Sequence, residues 1–287
     1  MKQALDFSGK TVLVVGGSSG IGNGIAQAFR AQGAEVHVWG TRASAAAYAG
    51  SEGSDLSGLH YAQVDVAERG AVQAVVPAFQ RLDVLVLCQG TVLYKRGEFQ
   101  AEGFRKVVEV NLNSLMDCSM KFFDRLKASS GSLITVSSTA AFHATRGNPA
   151  YNASKAGAVG LTRTLGQAWA GEGIRVNGIA PGLVDTKLTK VTTDHPERLK
   201  ATLQSIPAGR LGLPSDMAGV ALFLASPLAG YITGTMIDSH GVASRRIDAA
   251  GCPAESGTAL TGALRCGRMA GARASSGDSI DGHAGDV

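Results

Sequence analysis

Three side chains with complementary proton chemistry, Ser138, Tyr151 and Lys155, stand in the spacing Ser-x12-Tyr-x3-Lys. A tyrosine alone titrates near 10 and is a poor base at neutral pH. A lysine four residues further on shares its helix face, and an ammonium beside a phenol favours the phenolate, which brings proton exchange toward the working range. Ser138 adds a hydroxyl donor for an oxygen on which negative charge develops. Such a set can move a proton at a carbonyl or an alcohol. Taken singly, Tyr-x3-Lys is a common surface pair and Ser138 is the polar end of a strand. The three together, downstream of a phosphate-type loop, point to catalysis.

That loop is the run Val14-Val15-Gly16-Gly17-Ser18-Ser19-Gly20-Ile21-Gly22. Gly16 permits a tight turn, Gly20 lets backbone approach a pyrophosphate, and Gly22 lets helix and strand pack closely. The helix that follows offers unpaired N–H groups and its positive dipole end to phosphates, with Ser18 and Ser19 as hydroxyl donors. A glycine-rich turn without ligand has the same composition, but strand, turn and helix in this order favour a dinucleotide. An acid at the end of the second strand would bond a ribose 2′-OH. Gly40-Thr41-Arg42 stands there instead, and a guanidinium suits a 2′-phosphate. NADP(H) is therefore favoured, with NAD(H) possible. Proton set and loop together describe a hydride-transfer enzyme.

Both motifs need a scaffold, and the pattern supplies one. Short β-branched runs alternate with helical stretches, which argues for repeated βαβ units around a parallel sheet. Strands are expected at Thr11–Val15, Glu35–Trp39, His60–Val64, Asp83–Leu87, Ser132–Ser137 and Ile174–Ile179, with a last one beginning near Thr235–Ile237. Helices are expected at Ile21–Ala31, Phe104–Leu126, Leu199–Ser205 and Pro214–Ala225. Another runs from Asn148-Pro149 to about Ala170, with Asn as cap and Pro in the first turn. The fold class is α/β: a single Rossmann-type, doubly wound parallel sheet flanked by helices, over residues 1–242. From Ala243 to Val287 the chain is rich in Gly, Ala, Ser, Arg and Asp and sustains no period, so a mostly disordered tail is expected.

The bounds agree. A chain of 287 residues with 45% apolar and 17% charged residues is an ordinary globular protein. A net charge of +4 without dense basic clusters gives no support to nucleic-acid binding. There is no signal-peptide stretch and no run of membrane-span length, so no membrane association is expected. Cys88, Cys118, Cys252 and Cys266 show neither paired nor metal-ligand spacing. No metal site is expected, and a cytoplasmic location is.

Over roughly residues 5–242 the chain resembles the short-chain dehydrogenase/reductase family, in its 3-oxoacyl reductase-like or hydroxysteroid dehydrogenase-like branch. Besides the two motifs, the resemblance is carried by Val110-Asn111-Leu112, by Asp65-Val66 after the third strand, and by Arg175-Val176-Asn177-x3-Pro181-Gly182 with Thr186 beyond. It implies that Tyr151 is the catalytic acid/base and that Ser138 orients the substrate oxygen. Lys155 would lower the tyrosine pKa and bind the nicotinamide ribose, and Asn111 would support a water-linked proton relay. Asp65 and Val66 would contact adenine, while Pro181, Gly182, Val184 and Thr186 lie toward the nicotinamide end. The resemblance also implies a homodimer or homotetramer formed through the helices at Phe104–Leu126 and Pro149–Ala170.

Three departures from the family pattern stand out. Val15 replaces a threonine before the first glycine. Leu87-Cys88-Gln89-Gly90 replaces Asn-Asn-Ala-Gly after the fourth strand, where Cys88 and Gly90 would still line the cofactor. Ser239-His240-Gly241-Val242 stands where Val-Asp-Gly-Gly is common, which leaves the last strand open to question. Substrate choice should rest on Thr91–Arg96, Thr139–Arg146 and Leu183–Pro196. Phe142, Leu183 and Leu188 would form an apolar wall, and His143 and Arg146 would be available to polar groups. The expected function is hydride transfer between a nicotinamide dinucleotide and a carbonyl or secondary alcohol. The alternative is a catalytically silent dinucleotide-binding sensor or scaffold.

Overall fold

The runs Thr11–Val15 (β1) and Val84–Leu87 (β4) are nearly continuous apolar sequence, and every residue in them is buried. Strands covered on both faces require this. In the computed structural model, which describes residues 2–68 and 70–241, they lie side by side at the centre of a parallel sheet. The other strands are β2 (Glu35–Gly40), β3 (His60–Gln63), β5 (Ser132–Val136), β6 (Arg175–Pro181) and β7 (Met236–Ser239). Their spatial order is β3-β2-β1-β4-β5-β6-β7. The chain builds outward from β1 to β3, then crosses back to β4 and builds the other way. The connections leaving β1 and β4 therefore diverge, and a crevice opens at their C-terminal ends.

Two apolar layers clamp the sheet. On one face, Ile25, Ala26 and Phe29 of α1 (Gly20–Ala31) meet Met217, Ala218 and Ala221 of α8 (Pro214–Ala225) over Val12, Val14, Val84 and Val86. On the other, Leu115, Phe122 and Leu126 of α4 (Ser114–Ser129) and Ala158, Leu165 and Trp169 of α5 (Pro149–Trp169) cover Leu13, Leu85, Leu87 and Leu133. Short helices α6 (Lys190–Thr193) and α7 (Pro196–Ser205) follow β6. Among the described residues no helix is long and apolar enough to cross a membrane. The expected tail, from residue 243, lies outside the described residues.

Most expected elements are present with ends moved by a few residues, and three differences are informative. The helix expected at Phe104–Leu126 is two helices, α3 (Ala101–Val108) and α4, joined by a π-helical turn at Glu109–Asn113. Among the described residues, the crossover from β3 to β4 holds only the single turn α2 (Ala71–Ala74), with Pro77 soon after it. The last strand does form despite its unusual residues, pairing Gly178 with Met236 through to Pro181 with Ser239.

The opposite end of the sheet from the crevice is tied by one carboxylate. Asp83, 5% exposed, accepts from Arg81 Nε at 2.9 Å, from the Thr11 amide at 3.1 Å and from Lys10 Nζ at 3.0 Å. Burial pushes this carboxyl up, but Arg81, the Thr11 amide and Lys10 together hold it below the ordinary carboxylate range. A depressed acid contributes stability above its unfolded pKa and loses it as pH falls through the folded one. Asp83→Asn is thus expected to lower the unfolding free energy near pH 7 by about 1–2 kcal/mol in urea titrations. The gap to wild type should close as the pH drops below about 4.

Candidate active site

The crevice is a cavity of about 540 Å³ at the C-terminal ends of the strands. Its floor is the β1–α1 turn, where Gly16, Ser18, Ser19, Gly20, Ile21 and Gly22 all line it. The turn tolerates no side chain at two points. Gly16 has φ +75°, and a Cβ there would lie 2.7 Å from the Gln89 nitrogen; a Cβ on Gly22 would lie 2.2 Å from the Gly16 carbonyl oxygen. Between them Ser19, the N-cap of α1, makes no side-chain cap bond, and the first turn of the helix lines the cavity. One wall holds Thr41, Asp65 and Val66; another holds Cys88 and Gly90; Pro181, Gly182, Val184 and Thr186 close the far side. Gln89 also lines it. Its Nε2 donates to Ser114 Oγ at 2.9 Å, while its buried Oε1 has no protein partner. An uncapped helix start beside an unpaired buried acceptor fits a long ligand carrying phosphates at one end and donors at the other.

Ser138, Tyr151 and Lys155 line the same cavity. Ser138 lies two residues past β5, and its Oγ accepts from the Ala140 amide at 3.1 Å, which fixes its direction. The Tyr151 phenol lies close enough to this hydroxyl for Ser138 to favour its charged form. Lys155, 4% exposed, lies with Nζ 5.7 Å from the Tyr151 ring centre and donates to the Val136 carbonyl at 2.9 Å. Burial depresses its ammonium to about 8. Burial also raises the Tyr151 phenol; the Ser138 hydrogen bond opposes this, and Tyr94, Cys88 and Glu98 add to it. The family resemblance gives Lys155 the task of lowering this phenol; in the protein alone, burial is the larger influence on it, and removing both groups from water disfavours both charged forms. The phenol is therefore protonated at neutral pH and set to act as an acid.

Asn111 sits in the π turn and is fully buried. Its Oδ1 accepts from the Thr91 amide at 2.7 Å, and its Nδ2 donates to the Thr91 carbonyl at 2.9 Å and to Ser154 Oγ at 3.2 Å. The extra residue in the turn aims this amide at the end of β4. It does not line the cavity, which lies beyond Gly90 and Lys155. Arg42 does not line it either. Its guanidinium lies over the Tyr48 ring at 4.5 Å and donates to Ser51 Oγ at 3.0 Å and to the Ala47 carbonyl. Meeting a phosphate would require it to turn away from these partners. Burial pushes the Cys88 thiol up to about 12, so it is a packing group and no nucleophile.

One correction concerns the start of α5. Asn148 makes no side-chain cap; its Nδ2 donates instead to the Leu93 carbonyl and to Glu98 Oε1, both at 3.2 Å. The cap comes from Glu98, 1% exposed, whose Oε2 accepts from the Tyr151 amide at 2.9 Å and whose Oε1 accepts from the Leu93 amide at 3.1 Å. Glu98 was invisible in the sequence, since a lone acid in a loop reads as solvated. Ser137 was likewise missed, although its Oγ donates to the Lys155 carbonyl at 2.8 Å and joins β5 to α5.

A family model described as enoyl-(acyl carrier protein) reductase matches residues 15–241. The 3-oxoacyl-[acyl-carrier-protein] reductase FabG of Chlamydia pneumoniae is 39% identical over 236 residues, which is 78% of this chain and 93% of that one. A 2-dehydro-3-deoxy-D-gluconate 5-dehydrogenase of Pseudoalteromonas atlantica is 37% identical over 252 residues, 83% of this chain and 96% of that one. Among solved structures, the active-site complex of Pseudomonas aeruginosa RhlG with NADP superposes with a TM-score of 0.77 at 32% identity, covering 84% of this chain and 99% of that one. Matched along most of its length by model, sequence and structure alike, the chain belongs to the short-chain dehydrogenase/reductase family, oxidoreductases that act on CH–OH and C=O groups with NAD(P).

Proposed function

We propose that this protein interconverts a ketone and its secondary alcohol with NADP(H), and that Tyr151 carries the proton. The observation behind this reading is that the Tyr151, Ser138 and Lys155 side chains line one cavity with the glycine loop. A bound nicotinamide would supply or accept the hydride at the carbonyl carbon. Ser138 donates a hydrogen bond to the substrate oxygen, and Tyr151 gives that oxygen a proton as it gains electron density. The Lys155 ammonium holds the ribose hydroxyls and offsets the charge left on the phenol; Asn111 keeps Thr91 and α5 in register behind it. The glycine loop and the start of α1 would hold the pyrophosphate, Asp65 and Val66 would flank the adenine, and Val184 and Thr186 would close the nicotinamide end.

The choice of NADP(H) rests on the absence of an acid after β2 and on the complex of a relative with NADP. At the cavity mouth, Tyr94 donates to the Leu188 carbonyl at 2.7 Å, bridging the two loops expected to choose the substrate. Leu188 and Phe142 leave apolar surface exposed there, while His143 and Arg146 are exposed loop residues. We read the assembly as a homodimer or homotetramer in the cytoplasm. Met116 and Met120, one turn apart on α4, are exposed, and Cys88 and Cys118 are free thiols. Sedimentation velocity reads the mass directly.

The test is consumption of NADPH and of NADH by the full chain, with a panel of ketones that includes 3-oxoacyl thioesters and keto sugar acids. At least one carbonyl should be reduced; cofactor binding with no turnover of any would leave a silent binding protein. Arg42→Ala should weaken NADPH binding by roughly 10- to 100-fold, the worth of a charge-assisted contact, with little effect on NADH. Equal effects on the two would mean that Arg42 stays on Tyr48 and Ser51 and does not read the 2′-phosphate.

A further inference from the structure

The end of the sheet remote from the cavity carries a second group of chemically capable side chains. In an extended strand, residues two apart share a face, so Glu35 and His37, both on β2, point the same way. The parallel register sets His60, the first residue of β3, beside His37. Alternation and register thus bring three donors together. His37 Nε2 lies 2.9 Å from Glu35 Oε1, the imidazoles of His37 and His60 stack with centres 4.7 Å apart, and one ligand atom from each residue lies within 4.8 Å of the others. Nothing in the hydride-transfer reading uses them.

Their surroundings favour an ion. The His37 side chain is 8% exposed and is backed by the Phe79 ring at 4.7 Å, so its position is fixed. Glu35 and His60 are exposed, because the shortened crossover at α2 leaves this edge of the face uncovered. Two ligands of a tetrahedral ion with bonds near 2.1 Å stand roughly 3.4 Å apart. The exposed pair has the rotamer freedom to close to that distance on the fixed His37.

We propose that Glu35, His37 and His60 form a site for one divalent first-row transition ion, with water completing its coordination on the exposed side. Two imidazoles and one carboxylate suit Zn²⁺, Co²⁺, Ni²⁺ and Cu²⁺, whereas Mg²⁺ and Ca²⁺ prefer oxygen donors alone. The ion would pin the short edge strand β3 to β2 and stabilise the folded chain by mass action.

The test is calorimetric titration of tag-free, chelator-treated full-length protein with NiCl2, CoCl2 and MgCl2, together with His60→Gln and Glu35→Gln. Both changed positions are exposed, so folding should survive. Ni²⁺ should bind at one equivalent and more tightly than Co²⁺, and Mg²⁺ should not bind. Each variant should weaken Ni²⁺ binding at least ~10-fold, the lower range seen even for groups supporting a metal ligand. Ni²⁺ should raise the melting temperature of wild type and leave that of His60→Gln unchanged, with ketone reduction equal in both. No saturable Ni²⁺ binding, or binding of equal strength in either variant, would overturn the site. So would an intense thiolate charge-transfer band in the Co²⁺ complex, which would place the ion on a cysteine.

Discussion

Tyr151→Phe is expected to lower kcat for ketone reduction by about 10²- to 10⁴-fold, the usual worth of a positioned acid, while NADPH binding stays within a few-fold of wild type. The substitution removes one oxygen and leaves the ring, so its packing in α5 is retained. What is lost is the proton held in place by Ser138. The pH dependence follows from the directions of the shifts. Burial raises the phenol, so its proton is present throughout the neutral range and reduction should fall only on the alkaline side. Alcohol oxidation needs the phenolate and should rise with pH. Lys155, brought to about 8 by burial, loses its charge before the phenol loses its proton, so the oxidative limb loses the support of the ammonium as it rises and should be shallow. The Phe variant should show neither limb. Stopped-flow turnover with fluorescence titration of cofactor separates the two effects, and a variant retaining more than a tenth of wild-type kcat would end the assignment of Tyr151 as the acid.

The fold was legible because its signals are local. Thr11–Val15 and Pro214–Ala225 match their expected limits, since continuous apolar runs bounded by Gly or Pro leave little choice of where an element begins. The glycine loop and the Ser-Tyr-Lys spacing were legible for a related reason: each places its groups within one turn or one helix face. Features that depend on what packs behind them were hidden. The π turn at Asn111 adds one residue to a pattern that otherwise reads as a single long helix. The direction of the Tyr151 shift depends on burial, which a motif does not report. Arg42 stands at the place where a 2′-phosphate would be read, yet Tyr48 and Ser51, both local to that loop, hold it aside. The cap of α5 comes from fifty residues upstream, so a search confined to Asn148 and Pro149 names the wrong residue.

That distant cap is the next most consequential group. Among the described residues no cation pairs with Glu98, a carboxylate buried to 1% exposure, and it is sustained by the Leu93 amide, the Asn148 side chain and the Tyr151 amide. It also lies at the positive end of the α5 dipole, where a negative charge is favoured. Through these bonds it joins the loop from Thr91 onward to the first turn of the helix that carries Tyr151. Glu98→Ala would leave the Leu93 and Tyr151 amides without this partner and Asn148 Nδ2 with the Leu93 carbonyl alone, each unpaired donor costing about 1–3 kcal/mol, and relaxation should return part of that. A net loss of about 3 kcal/mol in urea unfolding is expected. Among molecules still folded, kcat should fall more than KM for NADPH rises, because the displaced group is the phenol and the glycine loop is untouched. Glu98→Gln keeps two acceptor lone pairs on one oxygen but sets an amide donor against the Tyr151 or Leu93 N–H, so it should recover only part of both losses. Equal unfolding midpoints for wild type and Glu98→Ala would mean that water replaces the carboxylate at no cost, and that the start of α5 is held by its packing against β5 and β6 alone.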